Sequence, residues 1–259
     1  MHEHRRRAES FGGTAERYDR SRPSYPPELM DEILGPPPAD LDVLDVGCGT
    51  GIAARQMAGR GARVLGVEVD GRMAELARRR GTPVEVARFE EWDPAGRSFD
   101  RVTAGQAWHW VDPVAGAARA AQILRPGGRL CLFWNIGEPP AEVREALDEV
   151  YRRLAPEADG YSVMVGYARE GSYRAERDGM RSCPVLTDPV ELRFPWRRVY
   201  TRDEWLDQLP THSDHAAMPP DQLERVLEAV GRVLDDFGGA FVMEYSTLLL
   251  TCTRLIGCP

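Results

Sequence analysis

The seven residues Asp45-Val46-Gly47-Cys48-Gly49-Thr50-Gly51 carry the densest chemical signal in the chain. They lie between an apolar run, Asp42 to Val46, and a helical segment, Ile52 to Gly59. Alternating glycines let a backbone approach a ligand closely, and the helix that follows presents unpaired N–H groups at its start. A pyrophosphate-binding fingerprint requires G-x-G-x-x-G, whereas this loop reads G-x-G-x-G with Ile52 next. Asp45 sharpens the distinction, because a carboxylate there repels a pyrophosphate and attracts an ammonium or a sulfonium. Glu68 closes the run Val64-Leu65-Gly66-Val67, and an acid at the end of a second strand can accept both hydrogen bonds of a ribose diol. Asp45, the glycine loop and Glu68 together point to an adenosine ligand that bears positive charge.

A second constellation is Gln106-Ala107-Trp108-His109-Trp110, just past a fourth strand, at the carboxyl edge where open α/β sheets bind ligands. His109, with an ordinary pKa of about 6.5, suits removal of a proton from a hydroxyl, an enol or a heteroaromatic carbon. The plainer alternative is that it hydrogen-bonds the loop or the ligand. Trp108 and Trp110 either stack on a planar ligand or simply pack. His212 and His215 have no evident third ligand, so no metal site is expected. Glu244-Tyr245 either reaches the same pocket or begins the last strand. Arg169, Arg174 and Arg177 either bind a carboxylate or form a solvated charged face.

The elements that must position these groups alternate between β-branched runs and helical segments, the pattern of a parallel sheet with crossover helices. Strands are expected at Asp42 to Val46, Arg63 to Val67, Val84 to Arg88, Arg101 to Ala104 and Arg129 to Trp134. Helices are expected at Pro27 to Leu34, Ile52 to Gly59, Arg72 to Arg80 and Ala115 to Leu124, with a turn at Arg125-Pro126-Gly127-Gly128. Beyond Gly137 comes a helix from Glu142 to Leu154. Gly160 to Pro184 has no clean period and reads as a lid or cap. A strand at Val190 to Phe194, a helix at Arg202 to Gln208, a loop from Thr211 to Pro220, a helix at Asp221 to Asp236 and a strand at Tyr245 to Leu255 complete the chain.

The composition excludes several chemistries. All 33 basic side chains are arginine, so a phosphate-loop lysine, a pyridoxal Schiff base and a lysine nucleophile are impossible. The net charge of −8 disfavours a surface that tracks nucleic-acid phosphates. No apolar run approaches the roughly 20 residues of a membrane span, and the basic start continues into Ala-Glu-Ser, not an apolar stretch, so the cytoplasm is the expected compartment. The five cysteines, Cys48, Cys131, Cys183, Cys252 and Cys258, form no Cys-x-x-Cys pair and read as reduced thiols.

The chain resembles the class I S-adenosylmethionine-dependent methyltransferases, and within them the small-molecule branch that includes trans-aconitate methyltransferase-like proteins. The likeness covers almost the whole chain. It is carried by Phe11-Gly12-Gly13-Thr14-Ala15-Glu16-Arg17-Tyr18-Asp19, Arg22-Pro23-Ser24-Tyr25-Pro26, Val43-Leu44-Asp45-Val46-Gly47-Cys48-Gly49-Thr50-Gly51, Gly105-Gln106-Ala107-Trp108-His109-Trp110 and Leu124-Arg125-Pro126-Gly127-Gly128-Arg129-Leu130. The resemblance implies a doubly wound α/β fold whose seven-stranded sheet is mostly parallel, with the last strand antiparallel and a helical or irregular cap inserted after the fifth. S-adenosyl-L-methionine is the implied cofactor and S-adenosyl-L-homocysteine the product.

By that resemblance Asp45, Gly47, Cys48, Gly49 and Gly51 cradle the methionine moiety, and Glu68 holds the ribose. Val69 stands where many relatives carry proline. Phe89 and Glu90 flank the adenine, Gln106 lies beside the cofactor, and the segment with Tyr18 and Arg22 is a flap over it. Tyr25, Trp108, His109, Trp110, Asn135 and His212 are expected in the acceptor pocket. The implied organisation is a flap at 1–27, a cofactor-binding core at 28–137, a cap at 138–220 and a closing helix and strand at 221–259. The acceptor is expected to be a small molecule, methylated first at oxygen with carbon or nitrogen behind, in natural-product biosynthesis, by a monomer or homodimer. An RNA or protein methyltransferase is disfavoured by acidity and by the lack of an added basic domain. A nicotinamide oxidoreductase lacks its loop, and a non-catalytic cofactor-binding protein is distinguished only by turnover.

Overall fold

A computed structural model describes residues 15–37, 40–156 and 173–257. Phe11 to Thr14, Arg169, Cys258 and most of the expected lid, 160–172, lie outside the described residues. The strands are β1 (Asp42–Val46), β2 (Arg63–Glu68), β3 (Val84–Val86), β4 (Phe99–Gly105), β5 (Leu124–Glu138), β6 (Val190–Thr201) and β7 (Ala240–Thr253). The helices are α1 (Ala15–Ser21), α2 (Pro27–Leu34), α3 (Ile52–Ala58), α4 (Gly71–Arg79), α5 (Pro113–Ile123), α6 (Ala141–Leu154), α7 (Arg174–Arg181), α8 (Arg202–Gln208), α9 (Ser213–Ala216) and α10 (Pro220–Asp236). All seven strands form one sheet in the order β3-β2-β1-β4-β5-β7-β6. The pairs from β3 through β5 are parallel, and β7 runs antiparallel to both β5 and β6.

Both faces of the central strands are covered, which explains why their sequences read as continuous apolar runs. One face packs Val43, Cys131 and Phe133 against Leu29, Met30 and Ile33 of α2 and Met57 of α3. The other packs Leu44, Val102, Leu130 and Leu132 against Ala117, Ala120 and Ala121 of α5 and Met180 of α7. Alanines on α5 let that helix lie close to the sheet, and its start is fixed by Pro113 and by Asp112, which accepts from the Val114 and Ala115 amides. A further core joins Leu147 and Tyr151 of α6, Trp205 of α8, Val226 and Val230 of α10, and Tyr200 and Phe241 of the β6–β7 pair.

Helix α9 stands inside the expected loop Thr211 to Pro220 and α7 inside the expected lid, and three elements of the sheet also differ from the sequence reading. β6 runs from 190 to 201, well past Phe194, because it pairs with β7 along its whole length; Pro195 and the Arg197-Arg198 pair hide this in the sequence, and all belong to an edge strand that tolerates them. β7 begins at Ala240 for the same reason. The expected turn at 125–128 is a bulge inside β5: Phe99 pairs with Leu124 and Arg101 with Arg129, so the intervening residues loop out of register. The sheet order reverses between β1 and β4, and β1 ends at the glycine loop. A ligand crevice is expected at this switch point.

Candidate active site

The glycine loop hangs from β2 through the Gly47 and Cys48 amides, which donate to the Val67 carbonyl at 2.8 and 3.3 Å. Gly47 sits at φ +63°, and a Cβ there would lie 2.5 Å from the Ala107 Cβ. The position therefore demands glycine both for its conformation and for the approach of two loops. Asp45, 1% exposed, accepts from the Thr103 hydroxyl at 2.9 Å through Oδ1, while Oδ2 is buried with no partner among the described residues. Burial pushes its pKa up to about 7, against the Thr103 bond and with help from the Glu68 charge. Glu68 accepts from the Gly49 amide at 2.8 Å through Oε2 and from the Asp70 amide at 2.9 Å through Oε1. Burial raises its pKa as well, opposed by these amides. With the Val69 amide the carboxylate meets three backbone donors, which leaves it a further acceptor site.

An open cleft above the loop is bounded by Asp45, Gly47, Gly49, Gln106 and Asn135 from the sheet edge and by Tyr18, Arg22 and Tyr25 from the N-terminal segment. That segment is tied to both sides. Arg55 links Asp19 of α1 to the Thr50 carbonyl of the glycine loop, both at 2.6 Å. Arg20 grips Asp207 of α8 with two bonds of 2.9 and 2.7 Å. Arg22 lies over the Tyr18 ring, 4.9 Å from its centroid, and donates to the Thr211 hydroxyl and carbonyl, both at 2.9 Å.

Tyr25, Gln106 and Asn135 are preset in the same way. Tyr25 stands edge-on to Phe133 at 4.7 Å, and burial, with the Tyr18 and Asp45 charges, raises its phenol well above the ordinary value while Arg22 opposes. It is thus a neutral hydrogen-bond donor. Gln106 holds the left-handed φ of +58°, kept there by its amide bond to the Phe133 carbonyl at 2.9 Å and its side-chain bond to the Asn135 carbonyl at 3.1 Å. Asn135 donates to the Ser24 carbonyl at 3.1 Å and accepts from the Thr247 hydroxyl at 2.6 Å, so the sense of its amide is fixed.

Of the residues singled out in the sequence, Tyr18, Arg22, Tyr25, Asp45, Gly47, Cys48, Gly49, Gln106 and Asn135 converge on this cleft. Gly51, at φ +85°, caps α3 just behind it, and Glu68 lies beneath the loop. Val69 is half-buried beyond β2. Trp108 requires correction: it is fully buried in the core, 5.7 Å from the Phe89 ring and against Gly116 of α5, because the helical turn Trp108–Trp110 aims its first side chain inward. Phe89 is buried with it, and Glu90 accepts from the Asp112 amide at 3.2 Å. His109 and Trp110 are half-buried on the same turn, their rings 4.6 Å apart, beside the cleft but outside its lining.

His212, on the turn that follows α8, lies outside the lining of the cleft. Its Nε2 is 3.4 Å from Gln208 Nε2, and burial, with the charges of Arg22 and His215, pushes its pKa well below 6.5. His215 bridges Asp214, at 2.9 Å, and the Tyr151 hydroxyl, at 2.7 Å. Sequence reasoning missed Thr103, which orients Asp45, and Thr211, which holds Arg22. A threonine inside the apolar run of β4 is the one signal that marked the former.

The arrangement fits the group that the resemblance implies. S-adenosylmethionine carries an ammonium, a carboxylate and a ribose diol. Among the described residues Asp45 Oδ2 is a buried acceptor without a partner, Arg22 is a guanidinium on the cleft wall, and Glu68 keeps an acceptor site at the end of β2. Among the described residues, no group of three or more His, Cys, Asp or Glu side chains could hold a metal ion, and no helix is long and apolar enough to cross a membrane.

Comparison with known proteins agrees with this geometry. Residues 44–132 match a methyltransferase domain model. An uncharacterised methyltransferase of Mycobacterium tuberculosis is 43% identical over 188 residues, covering 71% of this chain and 76% of that protein. The nocamycin O-methyltransferase of Saccharothrix syringae is 30% identical over 252 residues, covering 86% and 88%. Among solved structures, an Anaeromyxobacter dehalogenans protein assigned to the type II methyltransferases superposes with a TM-score of 0.64 at 24% identity, over 90% of this chain and 98% of that one. A Haemonchus contortus phosphoethanolamine N-methyltransferase complex superposes at 0.56 and 16% identity, over 95% and 58%, and these two likenesses speak to the fold. The protein belongs to the class I S-adenosylmethionine-dependent methyltransferases.

Proposed function

We propose that the protein methylates a hydroxyl of a small-molecule acceptor in natural-product biosynthesis, with the cofactor head group held between Asp45 and Arg22. The observation that carries this reading is the buried, unpartnered Asp45 Oδ2 in a cleft that also presents the Arg22 guanidinium. An α-amino acid head needs one anionic and one cationic partner in the same cleft, and an anionic dinucleotide does not. The likeness to an O-methyltransferase of a natural product extends over most of the chain, including the acceptor side, and supports the choice of oxygen.

When bound, S-adenosylmethionine supplies an electrophilic methyl on a sulfonium. The chain's own residues do the rest. Asp45 takes the ammonium, Arg22 the carboxylate, the backbone at Gly47 and Gly49 allows close approach, and Glu68 accepts from the ribose. Val69, Phe89 and Glu90 shape the adenine end. Methyl transfer is an in-line displacement, so the remaining task is alignment of the acceptor oxygen. Tyr25 and Asn135, each locked by its neighbours, donate to the acceptor, while His109, Trp110 and His212 border its pocket. An acceptor that ionises below neutral pH arrives without its proton and needs no base; one that does not gives its proton to His109.

The test incubates the protein with methyl-labelled S-adenosylmethionine and a panel of phenols, enols and carboxylic acids, and locates the label by mass spectrometry and NMR. Label on a small-molecule oxygen supports the reading. Label confined to RNA or protein fractions, or on carbon or nitrogen, contradicts it.

A further inference from the structure

Arg22 lines the cleft from the N-terminal segment, yet it is held from behind by the turn that follows α8. Thr211, fully buried at the end of the helical turn that follows α8, receives Nε through its hydroxyl and Nη2 through its carbonyl, both at 2.9 Å. The Thr211 hydroxyl gives its one proton to the Gln208 carbonyl at 2.6 Å. With that proton committed, the oxygen can only accept, and a guanidinium can only donate. The sense of every bond is fixed, and the guanidinium cannot turn without losing two charge-assisted bonds.

The charge of Arg22 is also unspent. Arg17 and Arg20 on the same segment pair with Asp207, at 3.3 and 2.7 Å. Among the described residues no carboxylate pairs with Arg22, whose polar contacts are the neutral Thr211 hydroxyl and carbonyl. Thr211 therefore orients this cation without neutralising it, and leaves its outer N–H groups for an anion in the cleft.

We propose that Thr211 is a positioning residue for the cofactor: from behind the cleft it holds the Arg22 guanidinium in the orientation that meets the cofactor carboxylate. This rests on the assignment of Arg22 to that carboxylate. Its consequence is that the turn bearing Thr211, which also carries His212, must be seated for the cofactor head to be fully gripped.

The test is a calorimetric comparison of S-adenosylhomocysteine with decarboxylated S-adenosylmethionine, which keeps the ammonium and lacks the carboxylate. Thr211→Val should weaken S-adenosylhomocysteine about tenfold, the size expected for one hydrogen bond to a charged group, and leave the decarboxylated ligand within about twofold of the parent. Thr211→Ser should restore the parent value. Thr211→Ala removes the same hydroxyl without adding bulk and should reproduce the selective loss, so it decides the matter if the valine variant does not fold; Arg22→Lys, which alters the carboxylate-binding group itself, tests the assignment beneath. Equal weakening of both ligands, or none, overturns the role of Thr211. Asp45→Asn separates this result from the assignment beneath it: loss of both ligands in Asp45→Asn with no selectivity in Thr211→Val refutes the positioning role alone, whereas retention of both ligands in Asp45→Asn refutes the cofactor assignment.

Discussion

Replacing Asp45 by asparagine should make the protein more stable and unable to hold its cofactor, and both effects have a pH signature. In the folded chain the Asp45 carboxyl is pushed from 3.8 up to about 7 by burial. In the unfolded chain it ionises near 3.8, so between these values the unfolded state has lost a proton that the folded state keeps. Stability is full below pH 4, falls as pH rises, and levels off above 7. A gap of about three pKa units corresponds to about 4 kcal/mol lost across that window. Asp45→Asn removes the penalty, so its thermal midpoint should exceed the parent's at pH 8 and meet it near pH 4.

Ligand binding runs the other way. An ammonium bound at Asp45 requires the carboxylate, so affinity for S-adenosylhomocysteine should be flat just above pH 7 and fall about tenfold for each unit below it. At pH 5 that is about 100-fold, or about 2.7 kcal/mol. Titrations in two buffers of different ionisation enthalpy should show about half a proton released per ligand near pH 7. A pH-independent affinity with no proton release, or an Asp45→Asn variant no more stable than the parent at pH 8, would refute the reasoning.

Other consequences follow from single contacts. Gly47→Ala places a Cβ 2.5 Å from Ala107 at a left-handed position, and should cost at least about 2 kcal/mol in denaturant unfolding and abolish S-adenosylhomocysteine binding. His215→Ala removes the ring that bridges the Tyr151 hydroxyl and Asp214 Oδ1 and should cost about 3 kcal/mol. Despite burial, the Asp214 carboxyl is held well below its usual value by His215 and then His212, so its share of stability is present above about pH 4 and disappears in acid; His215→Ala should flatten acid unfolding below that pH. His109→Gln should leave S-adenosylhomocysteine affinity unchanged; loss of the rising limb of the kcat pH profile marks a base, and an altered acceptor KM with an unchanged profile marks a positioning group.

Local chemistry was legible in the sequence wherever one residue decided it. The alternation of glycines, the acid ahead of them and the acid after the second strand sufficed to mark the loop that borders the cleft, because each answers a requirement of backbone or charge at its own position. What the sequence hid depends on distant partners. The length of β6 is set by β7, some fifty residues on, and Pro195 conceals it. Trp108 reads as a pocket aromatic until the turn that carries it is seen to aim it at Phe89 and Gly116. The Arg22–Thr211 and Asp45–Thr103 bonds join segments with no periodic relation, so Thr211 carries no signal and Thr103 shows only as a polar residue in an apolar run. Glu68 shows both sides: its place was readable, but its bonds to the Gly49 and Asp70 amides required the fold.

The central claim is that Asp45, the glycine loop and Glu68 form an S-adenosylmethionine site, and its most direct test is calorimetric titration of the protein with S-adenosylmethionine, S-adenosylhomocysteine and NAD, alongside Asp45→Ala and Glu68→Ala. The account predicts saturable binding of both adenosyl ligands, lost in each variant, and no heat from NAD. Binding of NAD, or adenosyl binding that survives in folded Asp45→Ala and Glu68→Ala, would contradict it.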